Sequence, residues 1–212
     1  MMRGEMSGWL VAAAVACALP SAARAQVGLD TSRTDNLPVG RGQLPSSAIT
    51  VALNYNSLQI VFIPLDERVL RLLTNDSYVS LHHLVEQYRS AIDSVASTSG
   101  LGMAGVALVS FHATAANTHF DPQQIRVVIH NQQYQAAGWV PLSADFTNQQ
   151  LDNRQQVQAI FLFPRDIPVK ESFVVTYLGA TSDDWSARLS RFDQERNRII
   201  GMKSARDTTG HH

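Results

Sequence analysis

Apolar residues recur at helical spacing through residues 80–99 of this chain. They follow one another at steps of three and four residues: Leu81, Leu84, Val85, Tyr88, Ile92 and Val95. This spacing predicts an amphipathic helix with one apolar stripe for a core. Before it, residues 49–55 and 58–64 are rich in β-branched and aromatic side chains, which predicts two strands joined by a tight turn at Asn56-Ser57. Asp66 is predicted to lie at the start of a short helix, and we assign residues 48–100 to a small strand and helix unit.

Beyond Gly105 the pattern changes to an alternation of apolar and polar positions. Turn signals such as Asp121-Pro122 and Asp152-Asn153 separate five runs that are typical of short strands, at residues 106–112, 125–131, 139–146, 157–163 and 172–177. Several short strands at fairly regular spacing favour an antiparallel β-sandwich. We therefore predict an α+β fold that is mainly β, with a sandwich at residues 101–180 that resembles the immunoglobulin-like architecture. No motif in it is specific to one family.

The two ends of the folded region carry other patterns. Residues 184–200 place apolar side chains such as Leu189, Phe192 and Ile199 on one side and charges on the other. This predicts an amphipathic surface helix within residues 181–200, followed by a disordered tail at residues 201–212. Residues 26–47 contain glycines, prolines and polar residues without a period, which predicts a flexible leader.

The first 25 residues have the pattern of a secretory signal peptide. Arg3 is followed by an apolar run at residues 9–19 and then by small residues that end in Ala23-Arg24-Ala25. That run is too short to cross a hydrocarbon core, which needs about 20 residues, and the mature chain holds no second candidate span. We therefore expect cleavage after Ala25 and export to the periplasm or the exterior. The alternative is lipid anchoring through Cys17, although Ala14-Val15-Ala16 matches a lipoprotein signal only in part.

Cleavage changes what the composition implies. It removes 25 of the 212 residues and leaves 187, enough for one domain or for one domain with a small companion. The single cysteine leaves with them, so the mature chain has no disulfide and no thiolate ligand or nucleophile. Without Arg3, Arg24 and Glu5 it keeps 15 basic and 17 acidic residues. This near-balance gives no electrostatic basis for binding nucleic acid or an anionic membrane.

Motifs of the common enzyme classes are missing or misplaced. Residues 100–105 spell GLGMAG, which matches GxGxxG, but a predicted helix precedes them and a strand follows, the reverse of the order in dinucleotide-binding folds. The motifs GxSxG and HExxH and the P-loop do not occur. We therefore expect a non-catalytic protein without a cofactor. The alternative is a carbohydrate-active or other hydrolase whose carboxylate pair is not apparent from linear spacing.

Three histidines, His112, His119 and His130, lie close together in sequence. If the strands of His112 and His130 were hairpin neighbours, about 17 Å would separate these two residues at roughly 3.3 Å per residue, too far to share one zinc ion. His112 with His119 remains as the metal-handling alternative to a protein without a metal site. We expect His82 and His83, which lie off the centre of the helical stripe, at its rim or in solvent.

Amide side chains are concentrated between residues 117 and 158, where ten glutamines occur. An amide offers a donor and an acceptor together, which suits sugar hydroxyls and peptide backbone. With two nearby aromatic rings, these amides suggest a ligand-binding surface made of Gln132, Gln133, Tyr134 and Trp139. An ordinary solvent-facing side of a sheet has the same composition, and this alternative stays open. We expect an exported binding or assembly protein of the bacterial envelope, with a protein or glycan ligand.

Overall fold

A computed structural model describes the backbone of residues 37–209 and the side chains of residues 37–202. The signal peptide predicted at residues 1–25, the Cys17 alternative and residues 26–36 of the predicted leader lie outside the described residues. Within them the chain is α+β and consists mostly of antiparallel sheet with a few helices, in agreement with the predicted class.

The larger sheet contains five antiparallel strands. In spatial order they are β1 (Val51–Tyr55), β2 (Leu58–Pro64), β3 (Gly105–Ala113), β9 (Gln156–Phe163) and β7 (Gly138–Pro141). The predicted turn at Asn56-Ser57 joins β1 to β2, with Asn56 at a positive φ of 51°. Because β2 pairs with β3 along its whole length, the strands of residues 48–100 belong to the same sheet as those of the predicted sandwich region.

The smaller sheet contains four antiparallel strands. In spatial order they are β11 (Ala180–Ser182), β10 (Val174–Tyr177), β5 (Ile125–Ile129) and β6 (Gln132–Gln135). A separate pair of short strands is formed by β4 (Thr118–His119) and β8 (Gln150–Leu151). The strand predicted at residues 139–146 ends early, and Phe146 lies in a 3-10 turn at Ala144–Asn148. The ladder ends because the Gln158 N–H donates to the Ser143 hydroxyl at 3.0 Å, although the Leu142 N–H still donates to the Gln158 carbonyl at 2.9 Å.

Three α-helices lie within residues 37–209: α1 (Glu67–Leu70), α2 (Asn75–Thr98) and α3 (Leu189–Thr209). Asp66 caps α1 as predicted, because its carboxylate accepts a hydrogen bond from the Arg68 N–H at 2.8 Å. The last helix continues to Thr209 and so contains most of the predicted disordered tail. The helix formers beyond Gly201 can sustain it, since one glycine costs only about 1 kcal/mol. Among these helices, none combines the length and apolar character needed to cross a bilayer.

The larger sheet is covered on both faces. One face shares with the smaller sheet a core rich in aromatic rings, among them Phe62, Phe111, Phe161, Phe173 and Tyr177. The other face packs against α2 in a second core of aliphatic side chains, among them Val85, Ile92, Ile160 and Leu162. The central strands β3 and β9 are therefore buried on both sides, and their positions read as nearly continuous apolar runs.

Residues 37–47 of the predicted flexible leader are part of the folded body. Leu37 and Leu44 are buried, and Leu44 forms backbone hydrogen bonds of 3.0 Å to Leu72 and 2.8 Å to Thr74. Gly42 permits this approach, since a Cβ there would lie 2.2 Å from the backbone of Leu72. Burial of these two leucines and the backbone hydrogen bonds of Leu44 hold this polar segment against the folded body.

Helix α3 holds the same segment from the other side. The Glu195 carboxylate accepts a hydrogen bond from the Gln43 N–H at 2.7 Å, and Arg198 donates to the Arg41 carbonyl at 2.6 Å. Arg198 also pairs with Glu195, and its hydrogen bond is the main reason why the pKa of that carboxyl is lowered. The early segment and the last helix are thus joined by one hydrogen-bonded network.

Candidate functional site

The predicted ligand-binding residues lie where the chain passes from one sheet to the other. β6 is an edge strand of the smaller sheet, and β7 is an edge strand of the larger one. Ala136 and Ala137 connect them, and the Ala137 N–H donates to the Leu162 carbonyl at 2.8 Å. We call residues 132–141 the corner. A two-residue turn precedes it, with His130 at φ 49° and Asn131 at φ 63°, the conformation that tight hairpins require.

The register of β6 divides its side chains between two faces. Gln132 and Tyr134 stand opposite Ile129 and Val127, whose side chains belong to the aromatic-rich core. Gln133 and its neighbour Gln135 are on the other face, since successive residues of a strand point to opposite sides. The structure therefore brings Gln132 and Tyr134 together and places Gln133 away from them.

Hydrogen bonds fix the Tyr134 ring at the corner. Its hydroxyl donates to Gln132 Oε1 at 2.6 Å and accepts from Arg165 Nη1 at 3.0 Å. The Arg165 guanidinium also lies over the ring, 5.7 Å from its centroid. Tyr134 is half-buried against the core, so its ring is held in place rather than free to adapt.

Trp139 lies on the larger sheet and packs inwards. Its ring centroid is 5.8 Å from that of Phe161 and 6.5 Å from that of Phe146, and the side chain is half-buried. An open groove of about 440 Å³ lies beside it, lined by Trp139, Gln135, Gln123, Val95 and residues 136–138. Of the four predicted residues, Trp139 alone lines this groove. The other three lie on β6 beside it.

Gln135 is one of the groove residues that sequence reasoning missed. Its Nε2 donates to the Gln123 carbonyl at 2.9 Å, which fixes the amide at the groove wall. Gly138 brings the end of α2 close to the corner, because a Cβ there would lie 2.6 Å from Val95 Cγ1. The sequence signal for Gln135 was its two-residue spacing from Gln133, which places both amides on one face of a strand.

The histidines of the metal-handling alternative lie on separate elements. His112 lies on β3, opposite Gln59 and Gln156, and His119 lies on β4. The hairpin assumed between the strands of His112 and His130 is wrong, since β3 pairs with β2 and β9 and not with β5. In residues 37–202, no group of three or more histidine, cysteine, aspartate or glutamate side chains is placed to hold a metal ion.

A second polar cluster, centred on Glu67, was not predicted. Glu67 has 4% of its surface exposed, and its carboxylate accepts a hydrogen bond from Arg71 Nε at 2.7 Å. His82 Nδ1 lies 2.9 Å from Glu67 Oε1, and the Tyr78 hydroxyl donates to the same carboxylate at 3.4 Å. Burial raises the pKa of the Tyr78 phenol, and the charge of Glu67 raises it further.

The Glu67 contact orients the His82 ring. A carboxylate accepts hydrogen bonds, so Nδ1 is the ring nitrogen that donates to Glu67. Tyr78 stacks on the ring at a centroid distance of 5.2 Å. His82 is therefore at the rim of the stripe, as predicted, but it is held by a buried carboxylate, for which helical spacing gave no signal.

The corner and the Glu67 cluster are thus both held in fixed geometry by hydrogen bonds. In comparisons with known proteins, no family model matches this chain, and no curated protein or solved structure matches it either. The functional proposal therefore rests on the chemistry of the corner.

Proposed function

We propose that this chain is an exported, non-catalytic binding or assembly protein of the bacterial envelope, and that it takes its ligand at the corner. The observation that carries the proposal is the character of β6. This strand is at the edge of its sheet, and its side chains are three glutamines and one tyrosine, with no charge. We infer that the two sheets, which share one core, form an immunoglobulin-like sandwich with β6 at its open side.

The chemistry of β6 suits a ligand with an extended backbone. Edge strands expose unpaired N–H and C=O groups, and proteins usually protect them with lysine, proline or a covering element. Neither lysine nor proline is present on β6, which pairs with β5 alone among the described strands. By contrast, the opposite edge strand, β11, lies against β1. An extended polypeptide added to β6 would gain backbone hydrogen bonds, with glutamine amides to contact its side chains.

The groove beside β6 supplies the second half of the proposed site. A bound segment that continues past β6 toward β7 would place one of its residues beside Trp139 and Gln135. There it would meet an apolar ring next to an amide. This combination accepts a polar segment with one apolar side chain. A glycan would use the same ring and amides without the strand edge, so the two ligand classes differ in whether they need the β6 backbone.

A charge placed on the β6 edge tests the site. Gln133→Lys introduces a cation on an exposed edge residue, and Gln59→Lys makes the same change on β2, which is central in its sheet. In pulldowns from envelope extract, we expect Gln133→Lys to reduce capture of the enriched species at least tenfold and Gln59→Lys to leave it unchanged. Equal loss in both variants, or in neither, would place the ligand elsewhere.

Isotope labelling then identifies the ligand class. When the captured species is titrated into ¹⁵N-labelled protein, a polypeptide added to β6 should slow hydrogen exchange of the β6 amides. A glycan would shift the Trp139 indole resonance and leave exchange at β6 unchanged, which would contradict strand addition.

Export has its own test. Mass spectrometry of the protein from a cell fraction outside the cytoplasm should give a chain that begins at Gln26. Cys17→Ser should leave that mass unchanged, because the cysteine is discarded with the signal peptide. A lipid-modified chain that begins at Cys17 would favour the anchored alternative, and a full-length cytoplasmic protein would contradict export.

A further inference from the structure

The outer side of α2 presents a histidine and a glutamate one helical turn apart. His82 and Glu86 are at positions i and i+4, so they lie on the same face of the helix. His82 Nε2 is 4.0 Å from Glu86 Oε1, and the two side chains are 38% and 44% exposed. The second ring nitrogen of His82, Nε2, and a carboxylate oxygen of Glu86 therefore face each other at the surface.

The Glu67 cluster supplies what such a pair normally requires for metal binding. A histidine that binds a metal ion usually donates its other ring N–H to a carboxylate, which fixes the ring and strengthens it as a ligand. Glu67 has that relation to His82, at 2.9 Å and from a buried position. Two zinc ligands are about 3.4 Å apart when each is about 2.1 Å from the ion at tetrahedral angles. A small rotation of the exposed Glu86 side chain therefore closes the gap.

We propose that His82 Nε2 and Glu86 Oε1 bind one divalent transition-metal ion of the zinc class, with Glu67 as the positioning residue for His82. Two protein ligands leave the remaining coordination positions to water, so this is an exchangeable surface site and not a structural one. It is separate from the corner, and it does not depend on the proposed function.

Arg89 makes the site conditional. Its Nε donates to Glu86 Oε2 at 3.0 Å, and its Nη2 pairs with Oε1. The ion must displace Arg89 from Oε1. Removal of Arg89 should therefore tighten metal binding. If Glu86 served only to pair with Arg89, the same change would not raise the affinity for the ion.

The neighbouring His83 provides a matched control. It lies on the same helix and is exposed. The contacts with Glu67 and Tyr78 that orient the ring are made by His82 and not by His83. A nonspecific histidine effect would respond equally to both residues.

The test is a calorimetric titration of zinc alone into the full-length protein, purified without a histidine tag. We expect His82→Gln and Glu86→Gln to weaken the site at least tenfold, Glu67→Gln to weaken it about 10-fold to 100-fold, and Arg89→Gln to strengthen it. His83→Gln should leave it unchanged. Absence of zinc binding to the unaltered protein, or equal losses in His82→Gln and His83→Gln, would overturn the proposal.

A second measurement covers the chance that Glu67→Gln unfolds the protein. In ¹⁵N spectra of the unaltered chain, zinc should shift the Nε2 resonance of His82 while its Nδ1 keeps its hydrogen. A shift confined to other histidine rings would also overturn the proposal.

Discussion

The two faces of the larger sheet are filled by different kinds of side chain. The face shared with the smaller sheet holds contacting rings, in which the centroid of Phe111 lies 4.6 Å from that of Phe120 and 6.1 Å from those of Phe146 and Tyr177. The face beneath α2 has an aliphatic core, whose buried members in the described residues are leucine, isoleucine, valine and alanine. The two faces should differ in their response to a truncated side chain, because a helix held by one stripe can shift to refill space whereas a second sheet is fixed by its ladders.

The largest effect is expected where rings interlock between two sheets. Phe111→Ala should lower the free energy of unfolding by about 3–5 kcal/mol, since it removes a buried ring and leaves a cavity that neither sheet can close. Urea unfolding followed by circular dichroism measures this loss. Phe111→Leu is the control and should cost less, because it fills part of the space. A loss below about 2 kcal/mol would mean that the aromatic-rich core adapts as readily as the aliphatic one.

Beneath the helix the expected loss is smaller. Leu162→Ala removes a fully buried side chain from β9 on the α2 side, and we expect a cost of about 2–3 kcal/mol, near the lower end for such changes, because α2 can settle into the space. The same urea titration gives the value. If Leu162→Ala costs as much as Phe111→Ala, the comparison between the two faces fails.

Addition of one carbon atom at Gly138 should disrupt the contact between α2 and the corner. Gly138→Ala places a Cβ 2.6 Å from Val95 Cγ1, and overpacking of this kind costs about 1–2 kcal/mol. Because the obstacle is a side chain, Val95→Ala in the same chain should recover most of that loss. A double-mutant cycle measures the recovery. Additive losses would show that the strain lies in the backbone and not at Val95.

The smallest loss of stability at neutral pH is expected for Tyr177, a phenol in the aromatic-rich core. Burial raises the pKa of the Tyr177 phenol, whose oxygen accepts a hydrogen bond from the Asp121 N–H at 2.9 Å. Tyr177→Phe should cost about 1 kcal/mol at pH 7 through the loss of that bond. The fold holds the phenol proton more tightly than the unfolded chain does, so its stabilisation is complete below the unfolded-state pKa and is lost as pH rises through the folded-state pKa.

Measurements of the free energy of unfolding at increasing alkaline pH therefore distinguish the unaltered chain from its variants. The unaltered chain should lose stability above about pH 10 more steeply than Tyr177→Phe. Tyr78, whose pKa is also raised, contributes in the same direction, and Tyr78→Phe is the companion variant. Identical pH slopes in all three proteins would contradict the assignment.

Local patterns predicted most of the elements but not their assembly. The stripe from Leu81 to Val95 predicted α2, and the β-branched runs predicted β1 and β2. Pairing could not be predicted in this way, because it depends on which faces meet across long sequence separations. β3 pairs with β2 and β9, and its burial on both sides removes the alternation that would have identified an inward face. The end of α3 was missed because the sequence of residues 201–209 carries no apolar period.

The residue types of the candidate site could be predicted from the sequence, but their arrangement in space could not. The amides and rings of residues 132–139 were identified from their density in the sequence, and they lie together at the corner. Their division between faces depends on the register set by the turn at His130 and Asn131. The Glu67 cluster could not be predicted from the sequence, because Glu67 and His82 are fifteen positions apart and meet only when α1 packs on α2.

The bonds between the segment at residues 37–47 and α3 affect how the chain matures. Ribosomes make proteins from the amino end, so the anchors Glu195 and Arg198 are synthesised long after Arg41 and Gln43 have left the exit tunnel. Until then the early segment lacks its hydrogen-bond partners on that helix. Under the proposed export, a chain that passes through a secretion pore in the same direction would form these hydrogen bonds only after the last helix had crossed.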